Sequence, residues 1–184
     1  MLVAFVGKKG SGKSTAAKSL EEEYGFVRHN FKDTLIAELK HKMPLLLDEL
    51  VRVCAALSDG EWTVDRLFKE KPPVVRALLQ NYGTEVRRAD DPNYWVDAWG
   101  QLASALSEKD IVVDDVRFEN EAQAIRDMGG VLIRIVKDSF DYPVLDEHSS
   151  ETEQDDIIVN HEIVVKEGEL DKLKELVFNA VFVE

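Results

Sequence analysis

The chain has 184 residues, 45% of them hydrophobic, which suits one domain with a single substantial core. Its 36 acidic against 23 basic side chains give a formal net charge of −13, a field that disfavours nucleic acid polymers as partners but leaves free nucleotides and metabolites. No apolar run approaches the roughly 20 residues of a membrane helix, and no cationic stretch leads into a long apolar core, so a cytoplasmic chain without membrane or secretory signal is expected.

Leu2-Val3-Ala4-Phe5-Val6 reads as the first strand. Directly after it stands Gly7-Lys8-Lys9-Gly10-Ser11-Gly12-Lys13-Ser14, the G-x-x-x-x-G-K-[ST] pattern of a phosphate-cradling P-loop in its strand–loop–helix setting. Glycines let backbone N–H groups turn inward around phosphates. Lys13 is spaced to reach the β- and γ-phosphates, and the Ser14 hydroxyl to hold Mg²⁺. A helix over about 13–23 points its positive end at the same anion. The implied ligand is a nucleoside triphosphate with Mg²⁺. A chance Gly-rich turn is the competing reading, disfavoured by the strand before it and by Ala16-Ala17-x-x-Leu20 after it.

Gly25 to His29 reads as a short second strand. Phe31, Leu35 and Leu39 carry helical spacing over 31–41, and Pro44 separates them from a helix near 45–58 that holds the lone cysteine, Cys54, in an apolar pattern. A buried thiol in a reducing compartment is expected there. Pro72-Pro73 opens a helix of about 16 residues. Tyr94 to Leu106 is helical, Ile111-Val112-Val113 a buried strand, 119–128 a helix closed by Gly129-Gly130, and Val131 to Val136 a strand. A polar loop over 137–156, a last strand at 162–165 and an amphipathic helix after Gly168 complete the chain.

Strands alternating with helices predict an α/β fold with a central parallel sheet of about five strands and right-handed crossovers. The helical block between the second strand and Ile111 exceeds a simple crossover. It reads as a helical substrate-binding insert of a single domain, about 31–107, and 137–156 reads as a lid-like loop.

Within the helix from Pro72, Arg76, Gln80, Gly83/Thr84 and Arg87 recur at three- and four-residue steps, a polar stripe. Val75, Leu79, Tyr82 and Val86 form an apolar stripe about 100° away. Arg76 suits a phosphate and Gln80 a base edge; a surface helix with solvated arginines is the alternative. At the end of the Ile111 strand comes Asp115-Val116-Arg117-Phe118-Glu119-Asn120-Glu121. An acid in that position binds a metal shell or positions a nucleophile, Arg117 neutralises transferring charge, and Glu121 orients Arg117. Asp114 competes with Asp115 for the role, and either acid also suits a helix N-cap. His29, His41 and His161 show no metal-ligand spacing with Cys54 or with one another, so no structural zinc is expected.

Gly7 to Thr15, Leu78-Leu79-Gln80-x-x-Gly83-Thr84-Glu85-x-x-Arg88, Asp97 after Tyr94-Trp95-Val96, Asp115-Val116-Arg117-Phe118-x-Asn120-Glu121 and His148-Ser149-Ser150-Glu151 occur in that order. With these motifs the chain resembles bacteriophage-type deoxynucleoside monophosphate kinases, of the P-loop nucleoside monophosphate kinase superfamily. The resemblance implies a three-layer P-loop kinase fold, located in the host cytoplasm if phage-encoded. It implies γ-phosphoryl transfer from ATP to a deoxynucleoside 5′-monophosphate, with Gly7, Lys8, Gly10, Ser11, Gly12, Lys13, Ser14 and Thr15 holding donor phosphates and Ser14 and Asp115 the Mg²⁺. Arg76, Gln80, Gly83, Thr84 and Arg88 would lie along the monophosphate site, with Asp33 a weaker candidate and Trp95 as wall or stacking residue. Burial tendencies favour the core for Trp95 and Trp99. Lys13, Asp115, Arg117 and Glu121 would form the catalytic centre.

The acidic loop departs from the superfamily pattern, since such lids usually bring arginines. Either Lys137 and Arg134 serve there or the cations come from the helical insert, and His148 is a phosphate-facing donor or an ordinary loop histidine. A kinase of another phosphorylated metabolite, of the dephospho-coenzyme A or phosphomevalonate type, and a nucleotide-binding ATPase or switch are the alternative functions. Monomer and homodimer both remain open.

Overall fold

The computed structural model describes residues 1–138 and 153–183. His148 and most of the expected lid at 137–156 lie outside them. The chain divides into two compact units, one of Met1–Phe31 with 99–183 and one of Lys32–Ala98.

The first unit is built on five parallel strands: β1 (Leu2–Val6), β2 (Val27–Arg28), β3 (Ile111–Val113), β4 (Val131–Asp138) and β5 (His161–Lys166), in the order β2-β3-β1-β4-β5. A parallel sheet covered on both faces needs continuous apolar strands, and β1 and β3 are buried at every residue. Alternation along β1 sends Val3 and Phe5 to one face, where they share a core with Ala16 and Leu20 of α1 (Lys13–Tyr24). Leu173 and Val177 of the C-terminal helix (Leu170–Phe182) complete that core. Leu2 points to the other face, where it and Ile125 of the helix Glu119–Asp127 both crowd Gly130. Helix, sheet and helix make three layers, as the alternation of elements predicts.

The second unit is helical: α2 (Phe31–Lys42, entered from the first unit), α3 (Pro44–Leu57), α4 (Val64–Glu70), α5 (Pro73–Gln80), a π-helix (Asn81–Arg88) and the start of α6 (Tyr94–Ala105). Among the described residues the remaining α-helices are α7 (Glu119–Asp127) and α8 (Leu170–Phe182). Leu39, Leu47, Cys54, Leu67, Phe68, Val75, Tyr82 and Trp95 form the second unit's own core. Helix α4, only seven residues long, carries too little periodicity to be read from sequence. It starts on Thr63, whose hydroxyl accepts the Arg66 N–H at 3.2 Å.

The expected 16-residue helix from Pro72 has its length but not its pitch: eight residues are α and the next eight are π. The apolar stripe Val75–Leu79–Tyr82–Val86 assumes α spacing throughout. In the wider π turn Val86 leaves it and lies 41% exposed, while Val75 and Tyr82 stay buried. The acids after β3 are not N-caps either. Phe118 occupies the N-cap of α7.

Candidate active site

The loop after β1 has the backbone of an anion cradle. Gly7, Gly10 and Gly12 all have positive φ, at 143°, 82° and 109°. A Cβ on Gly7 would stand 2.4 Å from the Ile135 carbonyl oxygen, so no other residue fits that turn against β4. Helix α1 begins at Lys13 with Gly12 as its N-cap, leaving its first N–H groups and positive dipole end toward the loop. Lys13 folds back over the loop, Nζ donating to the Gly7 carbonyl and, at 2.9 Å, to that of Lys8. Ser14 is exposed and Thr15 half-buried. Ser11 is buried, and its hydroxyl has no partner among the described residues. A buried hydroxyl without a partner is costly, and it suits a loop waiting for an anion.

The end of β3 lies in the same unit. Asp114, 3% exposed, accepts from Arg28 Nη1 at 3.3 Å, and its own N–H donates to Asn30 Oδ1 at 2.8 Å. Arg28 reaches further, to the Glu21 carboxylate and to the Ser14 carbonyl at 3.4 Å, so it bridges β2, α1 and the end of β3. Asp115 is half-buried and accepts from the Phe31 N–H at 3.1 Å through Oδ1. The two acids are thus separated by environment: Asp114 is buried and paired with the half-buried Arg28, and Asp115 sits in the more open position. Glu121 accepts the N–H groups of Arg117 at 2.8 Å and Phe118 at 3.3 Å, which fixes the backbone at Arg117.

Near the lid position, Lys137 pairs with Glu167 at 2.9 Å. Arg134 donates to the backbone carbonyls of Asp155, at 2.9 Å, and Ile157. Lys8 of the loop pairs with Asp155 at 3.2 Å. All three cations therefore hold the strand ends and the short 3-10 turn Glu153–Asp156.

In the second unit, Arg76 and Gln80 are exposed on α5 and Thr84 and Arg88 are half-buried on the π-helix. Asp33 is exposed in the first turn of α2. Gly83 is buried, and a Cβ there would stand 3.2 Å from Leu35 Cδ2. Trp95 is 4% exposed, donates its indole N–H to the Gly83 carbonyl at 2.9 Å, and meets Tyr94 edge-on with ring centroids 4.8 Å apart. Arg88 donates to the Pro92 carbonyl at 3.3 Å.

Beside them lies a cluster that sequence reading did not assemble. Glu38 of α2 accepts from Tyr94 at 2.5 Å, Tyr82 at 2.6 Å, Arg87 at 2.7 Å and Lys42 at 3.0 Å. The Arg87 guanidinium stands 5.1 Å from the Tyr82 ring centroid and 5.0 Å from that of Tyr94. Burial works to raise the Glu38 carboxyl, but the hydrogen bonds from Tyr82, Tyr94, Lys42 and Arg87 outweigh it and hold the pKa at about 2, down from 4.5. The same contacts act on Tyr82, whose hydroxyl is pushed up by burial and by its bond to Glu38. The only sequence signal was Glu38 standing four residues before Lys42; its tyrosine partners come from 44 and 56 residues away.

Comparison with known proteins gives the family. The family model described as deoxynucleotide monophosphate kinase matches residues 59–177. A protein of Acanthamoeba polyphaga mimivirus, described as a putative deoxynucleotide monophosphate kinase, is 32% identical over 185 residues, covering 89% of this chain and 90% of its own. Among solved structures, a sugar kinase from Janibacter sp. has a TM-score of 0.51 at 12% identity, covering 98% of this chain and 93% of its own; the likeness is one of fold. Shikimate kinase from Aquifex aeolicus has a TM-score of 0.47 at 14% identity, covering 98% and 96%. The chain belongs to the deoxynucleotide monophosphate kinase family, a family of transferases.

Proposed function

We propose that this kinase transfers the γ-phosphate of ATP, taken as its Mg²⁺ complex, to a deoxynucleoside 5′-monophosphate, giving ADP and the deoxynucleoside diphosphate. The observation that carries the reading is the Gly7–Ser14 loop: three positive-φ glycines, a lysine folded over them, and a buried Ser11 hydroxyl with no described partner. Those features fit a polyphosphate. Ser14 and Asp115 are the oxygen donors suited to Mg²⁺, which is usually bound by one or two protein groups together with substrate phosphates. Bound there, the ion supplies charge neutralisation on the phosphate oxygens.

The residues then divide the work. Loop N–H groups and Lys13 hold the donor phosphates. An acceptor phosphate oxygen attacks the γ-phosphorus, one P–O bond forms as the bond to the β,γ-bridging oxygen breaks, and that electron pair leaves with ADP. The acceptor oxygen is already anionic, so no general base is needed. Catalysis rests on in-line placement and on charge stabilisation by Lys13 and Arg117, whose backbone Glu121 fixes. Arg76, Gln80, Gly83, Thr84, Arg88 and Asp33 are assigned to the acceptor. Trp95, buried with its indole N–H on Gly83, is assigned to the wall that supports them. Lys137 and His148 remain candidates for the donor-phosphate lid.

Incubation with ATP, Mg²⁺ and one deoxynucleoside monophosphate, followed by separation of the nucleotides, tests the reaction. Equal amounts of ADP and deoxynucleoside diphosphate are expected. ADP with free phosphate and no new diphosphate would reject the transfer in favour of ATP hydrolysis.

A further inference from the structure

The segment Asn81–Arg88 is a π-helix of eight residues, where such turns normally run to one. A π-helix is unstable on its own, and something must hold this one. On an α-helix, residues five apart lie about 140° apart around the axis and do not meet. In π register they share a face, and Tyr82 and Arg87 are such a pair: Arg87 donates to the Tyr82 hydroxyl through Nη2 at 2.8 Å and Nε at 3.2 Å. Glu38 accepts from both partners, so its carboxylate closes a triangle that α register would open. Tyr94 adds a fourth corner, and the Trp95 indole ties the Gly83 carbonyl to the same side. Leu35, one turn before Glu38, presses on Gly83, where no side chain fits without displacing it.

We propose that Glu38 is a positioning residue for the acceptor: with Tyr82, Arg87 and Tyr94 it locks Asn81–Arg88 in π register, and that register sets the direction of Thr84 and Arg88. Neither Glu38 nor Arg87 touches the acceptor. The inference rests on the acceptor role proposed for Thr84 and Arg88.

The test uses the full chain with Glu38→Gln, which keeps an oxygen acceptor but removes the charge, and with Tyr94→Phe, a milder change that preserves packing. Steady-state kinetics with ATP and a deoxynucleoside monophosphate are read beside amide exchange at residues 81–88, with Arg88→Ala as reference. The expected result for Glu38→Gln is a roughly tenfold higher acceptor KM, an ATP KM within about twofold of wild type, and faster exchange at 81–88; Tyr94→Phe shifts each the same way by less. An equal rise in both KM values, or a fall in kcat alone, would overturn the proposal by reducing the cluster to general support of the fold. If Arg88→Ala raises the acceptor KM and Glu38→Gln does not, the lock is rejected while the acceptor assignment stands. If Arg88→Ala and Thr84→Ala both leave it unchanged, the acceptor assignment itself falls and takes the lock with it.

Discussion

The two units of the chain hold their functional side chains in different ways. In Met1–Phe31 with 99–183, the donor loop is shaped by its own short sequence: glycines set the turn, the helix that follows supplies N–H groups, and Lys13 bonds the carbonyls of Gly7 and Lys8. In Lys32–Ala98 three of the candidate acceptor residues, Gly83, Thr84 and Arg88, stand on a π-helix that no local pattern specifies. That helix is held from outside by Glu38 and Tyr94. A loop defined locally fails when its own residues change. A segment held by distant partners can be altered by a substitution that touches no ligand.

The largest effects are expected in the first unit. Lys13→Ala and Asp115→Asn should each lower kcat by about 10²–10³, the scale of removing one preorganised charge-stabilising group. Asp114→Asn should behave differently. It weakens one of two carboxylate contacts to Arg28, the Glu21 pair remaining, and should cost about 1 kcal/mol of stability, measured by urea unfolding. If Asp115→Asn turns over normally and Asp114→Asn folds but is inactive, the two acids exchange roles. Gly7→Ala should abolish ATP binding, because its Cβ meets the Ile135 carbonyl at a φ of 143°; calorimetry with ATP reads that loss directly.

Effects in the second unit should be smaller and selective. Arg76 is exposed on α5, and Arg76→Ala should raise the acceptor KM about tenfold with little change in the ATP KM. An unchanged acceptor KM would make Arg76 ordinary solvated surface. Glu38 adds a pH signature. Its pKa is about 2 in the folded chain against 4.5 ordinarily, so its ionised form stabilises the fold above pH 4.5 and that contribution is lost as pH falls toward 2. The stability gap between wild type and Glu38→Gln should therefore be full at pH 6 and narrow on acidification, by about 1 kcal/mol once solvent screening is counted. A gap constant from pH 6 to pH 3 would mean that the carboxylate is not held by those donors.

This contrast also explains what the sequence revealed. The P-loop, its strand and its helix were legible because their information lies within Leu2–Leu20, and the longer parallel strands were legible as apolar runs between helices. The strand-end acids were legible as candidates only. Separating Asp114 from Asp115 required Arg28, which arrives from β2, 86 residues away. The π register was not legible at all, because Tyr82–Arg87 is a five-residue pairing that α periodicity does not contain. It moved Val86 off the expected apolar stripe and turned Arg87, expected on the polar stripe, back onto Glu38.

If the Gly7–Ser14 loop serves phosphoryl transfer to a deoxynucleotide, a deoxynucleotide acceptor must accelerate ADP formation. The most direct test is the initial rate of ADP formation from ATP and Mg²⁺ across dAMP, dGMP, dTMP and dCMP, beside dephospho-coenzyme A and phosphomevalonate. Stimulation by at least one deoxynucleotide is expected. Stimulation by another acceptor with none by any deoxynucleotide would contradict that role.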